Sequence, residues 1–301
     1  MKKIIFFAIL LLVSCPMVLP VSCQADQIVS CQADQNGPAK IRTMRVLRVR
    51  DKRVIGFREM VREIKSADVI LLGEVHSSAA DHRAQLAVIR ALRAAKAPFA
   101  IGLEMFRADS QKALDRWVSG QSSLRSFQDI YYKNWSAPWP LYRDIFLYAR
   151  QRRIPMVGLN VPKDISDTVF ARGFNSLTPA EKKEVPPGIS CTVDKKYQRF
   201  INEAYQFHRV MGGGSFYDFC QAQMLWDSVM AWHIVDHLES APGVKMVVLT
   251  GVGHAWKRGI PARIGRRSDY RVSVVLPEMP TGKSDRDITT GDADYILQGL
   301  R

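Results

Sequence analysis

Apolar residues along this chain fall into short uninterrupted runs separated by stretches of helical periodicity, and several of the runs stop on a polar residue. Residues 67–72 lead into Gly73-Glu74-Val75-His76, 99–103 into Glu104, 156–159 into Asn160, and 246–250 into Gly251-Val252-Gly253-His254. Runs of this length between helical patterns predict buried parallel strands. A further strand is expected at 272–276, closed by Pro277, and a small hairpin pairs 46–49 with 54–57 around an Arg-Asp-Lys-Arg turn. Leu86, Ile89 and Leu92 recur at helical spacing within 78–96, a second helix at 109–118 opens on Asp109 or Ser110, and a long helix covers 217–238. Residues 164–211 read as mostly helical, interrupted by Pro179 and Pro186-Pro187-Gly188 and closed by Gly212-Gly213-Gly214. The tail from 281 is polar, either a loose arm or a late helix around 295–300.

The predicted fold is therefore α/β, a mostly parallel sheet flanked by helices, with an additional helical subregion. Ligands of such sheets sit beyond the carboxyl ends of the strands. Glu74, His76, Glu104, Asn160 and His254 are thus expected to share one crevice, provided their strands are neighbours. Glu74 and His76, two apart in an extended segment, project from one face. A carboxylate and an imidazole so placed suit metal ligation or general-base work. The glycines at 251 and 253 let backbone approach a ligand closely.

Charge adds a second theme. The 301 residues carry 43 Lys+Arg against 29 Asp+Glu, a formal net charge of +14, which attracts an anionic membrane face, nucleic acid or a carboxylate-bearing ligand. Much of the excess lies in 40–53, where Lys40, Arg42, Arg45, Arg48, Arg50, Lys52 and Arg53 are accompanied by Asp51 alone. A basic tether beside a membrane is the favoured reading. No nucleic-acid-binding module follows it, and no nucleic-acid partner is expected. The chain also lacks Cys-x-x-Cys-His, a Gly-rich phosphate loop before a helix, and Gly-x-Ser-x-Gly. His233 and His237 have a metal-ligand spacing without the intervening Glu, which favours packing or plain surface. Tyr131, Tyr132, Trp135, Trp139 and Tyr142 either cap the core or form a flat wall for a planar ligand.

The N-terminus reads as an export signal. Lys2 and Lys3 precede an apolar stretch at 4–13 that is too short to span a bilayer, and Leu12-Val13-Ser14-Cys15 resembles a bacterial lipobox. Cys15 is the expected lipidation site, Cys23 the second choice. The heptapeptide Val-Ser-Cys-Gln-Ala-Asp-Gln, repeated at 21–27 and 29–35, reads as low-complexity tether. A lipid plus a basic patch gives stable anchoring. The expected organisation is a signal peptide at 1–15, a tether at 16–44, an α/β domain at 45–280 and a tail at 281–301. Cys191 and Cys220 are then the only cysteines of the folded part, and pairing or two separate thiols are equally compatible with their positions.

The motifs Leu71-Leu72-Gly73-Glu74-Val75-His76, His82 with Gln85, Gly102-Leu103-Glu104-Met105-Phe106, Leu141-Tyr142-Arg143, Gln223-Met224-Leu225-Trp226-Asp227 and Gly251-Val252-Gly253-His254 with Gly259-Ile260-Pro261 occur in an order that resembles the ChaN family of haem-binding, iron-regulated lipoproteins. The resemblance runs from about residue 45 to 277 and departs at Ser77-Ser78-Ala79, where a more polar Asp-Asn-Pro type loop is usual. That family resembles a wider group with the erythromycin esterases and the Tiki-type and TraB-type proteins.

The resemblance implies non-covalent haem binding and a role in haem or iron uptake at the bacterial cell envelope. It carries over Glu74, His76, His82, Glu104, Tyr142, Arg143, His208, Asp227 and His254 as motif residues. Ferric haem accepts an imidazole or a tyrosinate, so Tyr142, His208, His82, Tyr217 and His254 are the axial-ligand candidates, and Arg143 suits a propionate. An envelope haem receptor or transporter and a second copy of the chain are the partner candidates. The alternative is a metal-dependent or Glu/His-dependent hydrolase using Glu74, His76, Glu104 and His254.

Overall fold

Every residue of the strand Val69–Glu74 is buried, because it is covered by helices on both faces of the sheet. The structure is a computed structural model that describes residues 44–209, 215–278 and 287–300, without the side chains of 207–209. In chain order the elements are β1 (Arg45–Arg48), β2 (Arg53–Gly56), α1 (Phe57–Ile64), β3 (Val69–Glu74), α2 (Ala79–Ala94), β4 (Phe99–Arg107), α3 (Gln111–Val118), α4 (Leu124–Asn134), α5 (Trp139–Arg152) and β5 (Met156–Asn160). Then follow α6 (Lys163–Arg172), α7 (Lys195–Arg209), α8 (Phe216–Ser240), β6 (Lys245–Gly251), the short α9 (Val252–Ala255), α10 (Ile260–Ile264), β7 (Val272–Pro277) and β8 (Tyr295–Gln298).

The strands form one mixed sheet in the order β2-β1-β8-β7-β3-β6-β4-β5. From β8 to β5 neighbours are parallel, whereas β1 runs antiparallel to both β8 and β2. Alternate residues of β3 feed opposite cores: Ile70 and Leu72 pack with α1 to α5, Val69 and Leu71 with α6 to α10. After β3 the chain crosses to β4, continues outward to β5, and returns to insert β6 between β3 and β4. That late insertion makes the ends of β3, β6 and β4 neighbours.

The structure corrects several expectations. The segment around 295–300 is neither a loose arm nor a helix but the strand β8, held between β1 and β7. A run of four residues is too short to show a period. What fixes it is distant: the Tyr295 hydroxyl donates to Glu63 Oε2 at 2.6 Å, and the Val274 amide donates to Asp294 Oδ2 at 2.8 Å. Between α6 and α7, residues 173–194 hold only two short 3-10 turns. In the basic segment, Arg48 is buried and meets Glu59 and Glu63 as well as Asp51, and Arg50 lies 3.2 Å from Glu63 Oε2. Cys191 and Cys220 form a disulfide, with Cα atoms 5.5 Å apart, that ties the irregular segment to the start of α8. Residue Cys15 and the tether at 16–44, apart from Met44, lie outside the described residues, as does the side chain of His208.

Candidate functional site

Glu74 closes β3 with its carboxylate inside the protein. Its Oε1 accepts from His76 Nδ1–H at 2.9 Å and from the buried Tyr142 hydroxyl, while Oε2 lies 3.3 Å from His82 Nε2. Burial alone disfavours the charge of Glu74, but the bonds from His76 and His82 outweigh it and hold the group down to about 2. The loop beyond β3 is set by local polar groups: Asp81 Oδ2 accepts from the Val75 amide at 2.9 Å, and Ser78 caps α2 by accepting from the Asp81 amide. The departure at Ser77-Ser78-Ala79 thus supplies a helix cap.

Glu104 arrives from β4, whose register against β5 shifts between Leu103 and Arg107. Such an irregularity bends a strand and re-aims its side chains. Asn160 at the end of β5 fastens the bend by donating Nδ2–H to the Glu104 carbonyl at 2.9 Å. One carboxylate oxygen, Oε2, is tied by the Thr250 hydroxyl and the Gly251 amide, each at 2.6 Å. The other, Oε1, faces two imidazoles, with His76 Nε2 at 4.0 Å and His254 Nε2 at 3.8 Å. Gly251 is required between them: a Cβ there would stand 2.9 Å from His76 Cε1 and 3.7 Å from Glu104 Oε2.

His254 is presented by the turn that α9 makes after β6. Its Nδ1–H donates to Asp227 Oδ1 at 2.7 Å from α8. Asp227 is fully buried and also accepts from the Tyr197 hydroxyl at 2.7 Å, with Arg263 Nη1 at 3.9 Å. Burial works against a charge on His254, but Glu104 and Asp227 more than offset it and raise its pKa. His76, whose side chain is 44% exposed, is likewise lifted against its burial by the bond to Glu74 and the charges of Glu104 and Glu74, to about 9.

The crevice therefore gathers Glu74, His76, Glu104, Asp227 and His254, with Trp135 edge-on to His76 at 5.0 Å and Trp226 edge-on to His254 at 5.9 Å. Tyr142 and His82 lie beneath it, fully shielded, with their rings 4.1 Å apart. Desolvation and the neighbouring Glu74 push the Tyr142 phenol far up, so it stays protonated. Arg143 points to solvent and pairs with Asp144 at 3.0 Å. Tyr217 is exposed at the first turn of α8. His233 is used internally, bonded to the Leu159 carbonyl at 2.8 Å. Tyr131, Trp139 and Tyr142 belong to the aromatic core, and Trp135 is the member of that cluster set against His76. Thr250, Tyr197 and Arg263 escaped the sequence reading, since nothing in their local sequence marks them as partners of Glu104 and Asp227. Among the described residues no three His, Cys, Asp or Glu side chains are grouped to hold a metal ion.

Residues 60–264 match the family described as haem-binding uptake, Tiki superfamily, ChaN. The chain belongs to this family. Among solved structures, ChaN of Campylobacter jejuni, described as binding haem cofacially, is similar to this ChaN-family protein at 21% identity and a TM-score of 0.66, over 84% of this chain and 96% of that one. That likeness shows the fold. More distant are a mutant of the erythromycin esterase EreC in its open conformation, 14% identical with a TM-score of 0.47 over 79% of this chain and 78% of that one, and the type III effector HopBA1, 13% identical with a TM-score of 0.48 over 86% and 98%. No curated protein sequence matches the chain.

Proposed function

We propose that this ChaN-family protein binds haem non-covalently and takes part in haem or iron uptake at the bacterial cell envelope, anchored to a membrane by a lipid on Cys15. Membership of a haem-binding uptake family carries this reading. The chemistry of the crevice fits the group. His76 has its Nδ1–H fixed on a carboxylate, as iron-binding imidazoles do, in a side chain that is partly open to solvent, with Nε2 4.0 Å from Glu104 Oε1. Aromatic edges from Trp135 and Trp226 stand beside the two histidines. Access divides the axial candidates: Tyr142 and His82 are sealed, Tyr217 is open and His254 borders the crevice, while His76, outside that expected set, is open as well. Arg143, exposed beside Tyr142 on α5, is the propionate partner in this reading. Among the described residues no helix is long and apolar enough to cross a membrane. An absorption titration of the full chain with ferric haem tests the reading, and a chain that takes up no haem would sink it.

A second reading has its own support. Glu104 Oε1 lies between two imidazoles that are each backed by a separate carboxylate, an arrangement able to take a proton from a water and return it to a leaving group. This is the Glu/His-dependent hydrolase. Turnover of ester or peptide substrates that survives a chelator and vanishes in Glu104→Gln would establish it beside haem binding.

A further inference from the structure

A second charged feature lies on the opposite edge of the sheet. Helices α2 and α5 return the chain to the starts of β4 and β5, so their C-termini gather at the amino edge, away from the crevice. There α3 ends against α5: Arg150 reaches the Gly120 carbonyl at 3.4 Å and Arg153 the Ser119 carbonyl at 2.9 Å. The guanidiniums of Arg90 and Arg152 lie over the same ring, Tyr148, at 5.2 and 5.7 Å, and Arg150 lies over Trp117 at 4.4 Å. Arg93 and Arg116 stand exposed on the last turns of α2 and α3.

Among the described residues none of these six arginines is in an ion pair, whereas Asp51, Glu63, Asp68 and Asp294 are each matched by a cation. Cations at helix C-termini complement the helix dipole. That explains one residue per helix end. It does not explain three guanidiniums set over two rings, Arg90 and Arg152 sharing Tyr148 and Arg150 on Trp117, with Arg93, Arg116 and Arg153 at the ends of the same three helices. The ring contacts hold Arg90, Arg150 and Arg152, and the bonds to carbonyls hold Arg150 and Arg153. Planar guanidiniums fixed in this way are suited to binding phosphate.

We propose that this arginine face docks on an anionic phospholipid surface. Nucleic acid is disfavoured because the rings of the patch are covered by guanidiniums and offer no face for base stacking. A protein partner is disfavoured because the patch has no exposed apolar centre, Trp117 being fully buried. Docking through the amino edge turns the crevice away from the bilayer. The proposal rests neither on haem binding nor on a lipid at Cys15.

The test uses the full chain carrying Cys15→Ser, so that no lipid is attached, and compares its affinity for phosphatidylcholine vesicles with and without phosphatidylglycerol. The apolar stretch at 4–13 contributes to both and cancels in the ratio. The unmodified patch should favour phosphatidylglycerol, with the preference weakening as salt rises. Reversing three charges, in Arg93→Glu with Arg152→Glu and Arg153→Glu, should lower that preference by about tenfold or more. The same three positions changed to Gln should lower it less, and they keep the test open if the reversed chain does not fold. Lys40→Glu with Arg42→Glu measures the tether's separate share. A triple variant that keeps the full preference overturns the proposal, as does one that loses binding to duplex DNA or polyglutamate while vesicle binding stays unchanged.

Discussion

His76 and His254, delivered by different strands, turn their Nε2 atoms toward a single oxygen, Glu104 Oε1, from 4.0 and 3.8 Å. Each ring is oriented from behind by its own acid, Glu74 for His76 and Asp227 for His254. The second oxygen of Glu104 is occupied by Thr250 and Gly251, so its free oxygen is fixed toward the imidazoles. Three strand ends thus build a proton-binding cluster in which every ring has a defined direction.

The Glu74–His76 pair should make stability depend on pH at both ends. His76 is raised from 6.5 to about 9, so its contribution is complete below pH 6.5 and is lost as pH rises through about 9. Glu74 is lowered from 4.5 to about 2, so its contribution is present above pH 4.5 and is lost as pH falls toward 2. NMR titration of the His76 ring should give a midpoint near 9. Glu74→Gln should bring it down toward the ordinary histidine value, and an unchanged midpoint would refute the pairing.

Asp227 is the anchor of the other half. Asp227→Asn removes the charge that His254 and Arg263 face in a buried setting, and breaking such a pair costs about 3–5 kcal/mol. Tyr197→Phe removes one hydrogen bond to that carboxylate, a loss of about 1.5–3 kcal/mol. Denaturant unfolding of the two variants should therefore rank Asp227→Asn as the more damaging. The His254 pKa, raised in the native chain, should fall in Asp227→Asn.

Gly251→Ala probes the closeness of the halves. The backbone φ of −58° is open to alanine, so the effect comes from the new methyl group pressing on His76. Overpacking of this kind costs about 1–3 kcal/mol. Displacing the ring from Glu104 and Glu74 should also lower the His76 midpoint, which separates this variant from one that is merely less stable.

Much of this was legible in the sequence because a buried parallel strand is an apolar run, and its polar ending is visible as a break. Glu74, His76, Glu104 and His254 each sit at such a break. What was hidden depends on contacts between distant segments. Tyr197 on α7 and Arg263 on α10 carry no mark that they converge on Asp227, and the four residues of β8 take their conformation from β1 and β7. The bend after Leu103, which keeps Glu104 within a strand that runs on to Arg107, depends on β5 and Asn160. Tyr142 illustrates the limit most sharply: it is an axial-ligand candidate beside Arg143 in sequence, but helical geometry sets adjacent side chains about 100° apart, one bonded to Glu74 and one in solvent.

Anchoring is tested at the other end of the chain. Leu12-Val13-Ser14-Cys15 is the motif, and Cys15→Ser should abolish labelling by a radioactive or clickable fatty acid and shift the protein from the membrane fraction toward the soluble one, leaving only the weaker attachment of its apolar and basic segments. Labelling that persists in Cys15→Ser and disappears in Cys23→Ser would move the lipid to the second cysteine.

Haem ligation is where burial makes the sharpest distinction. An axial tyrosine must ionise and reach the iron, yet the Tyr142 hydroxyl is enclosed, donates to Glu74 and is pushed strongly toward its neutral form. His82 is equally shielded, lying between Glu74 and the Tyr142 ring. Ferric-haem titrations of Tyr142→Phe should therefore reproduce the native absorption spectrum, with affinity changed only as far as the loss of the hydrogen bond loosens Glu74. Alanine at His76 or Tyr217, which are open, or at His254, which borders the crevice, should instead alter the spectrum. Arg143→Ala should weaken binding with the spectrum preserved, because a propionate contact tunes affinity without touching iron. A spectrum that changes in Tyr142→Phe and in none of those three variants would mean that the helix bearing Tyr142 moves on binding and brings the phenol to the iron.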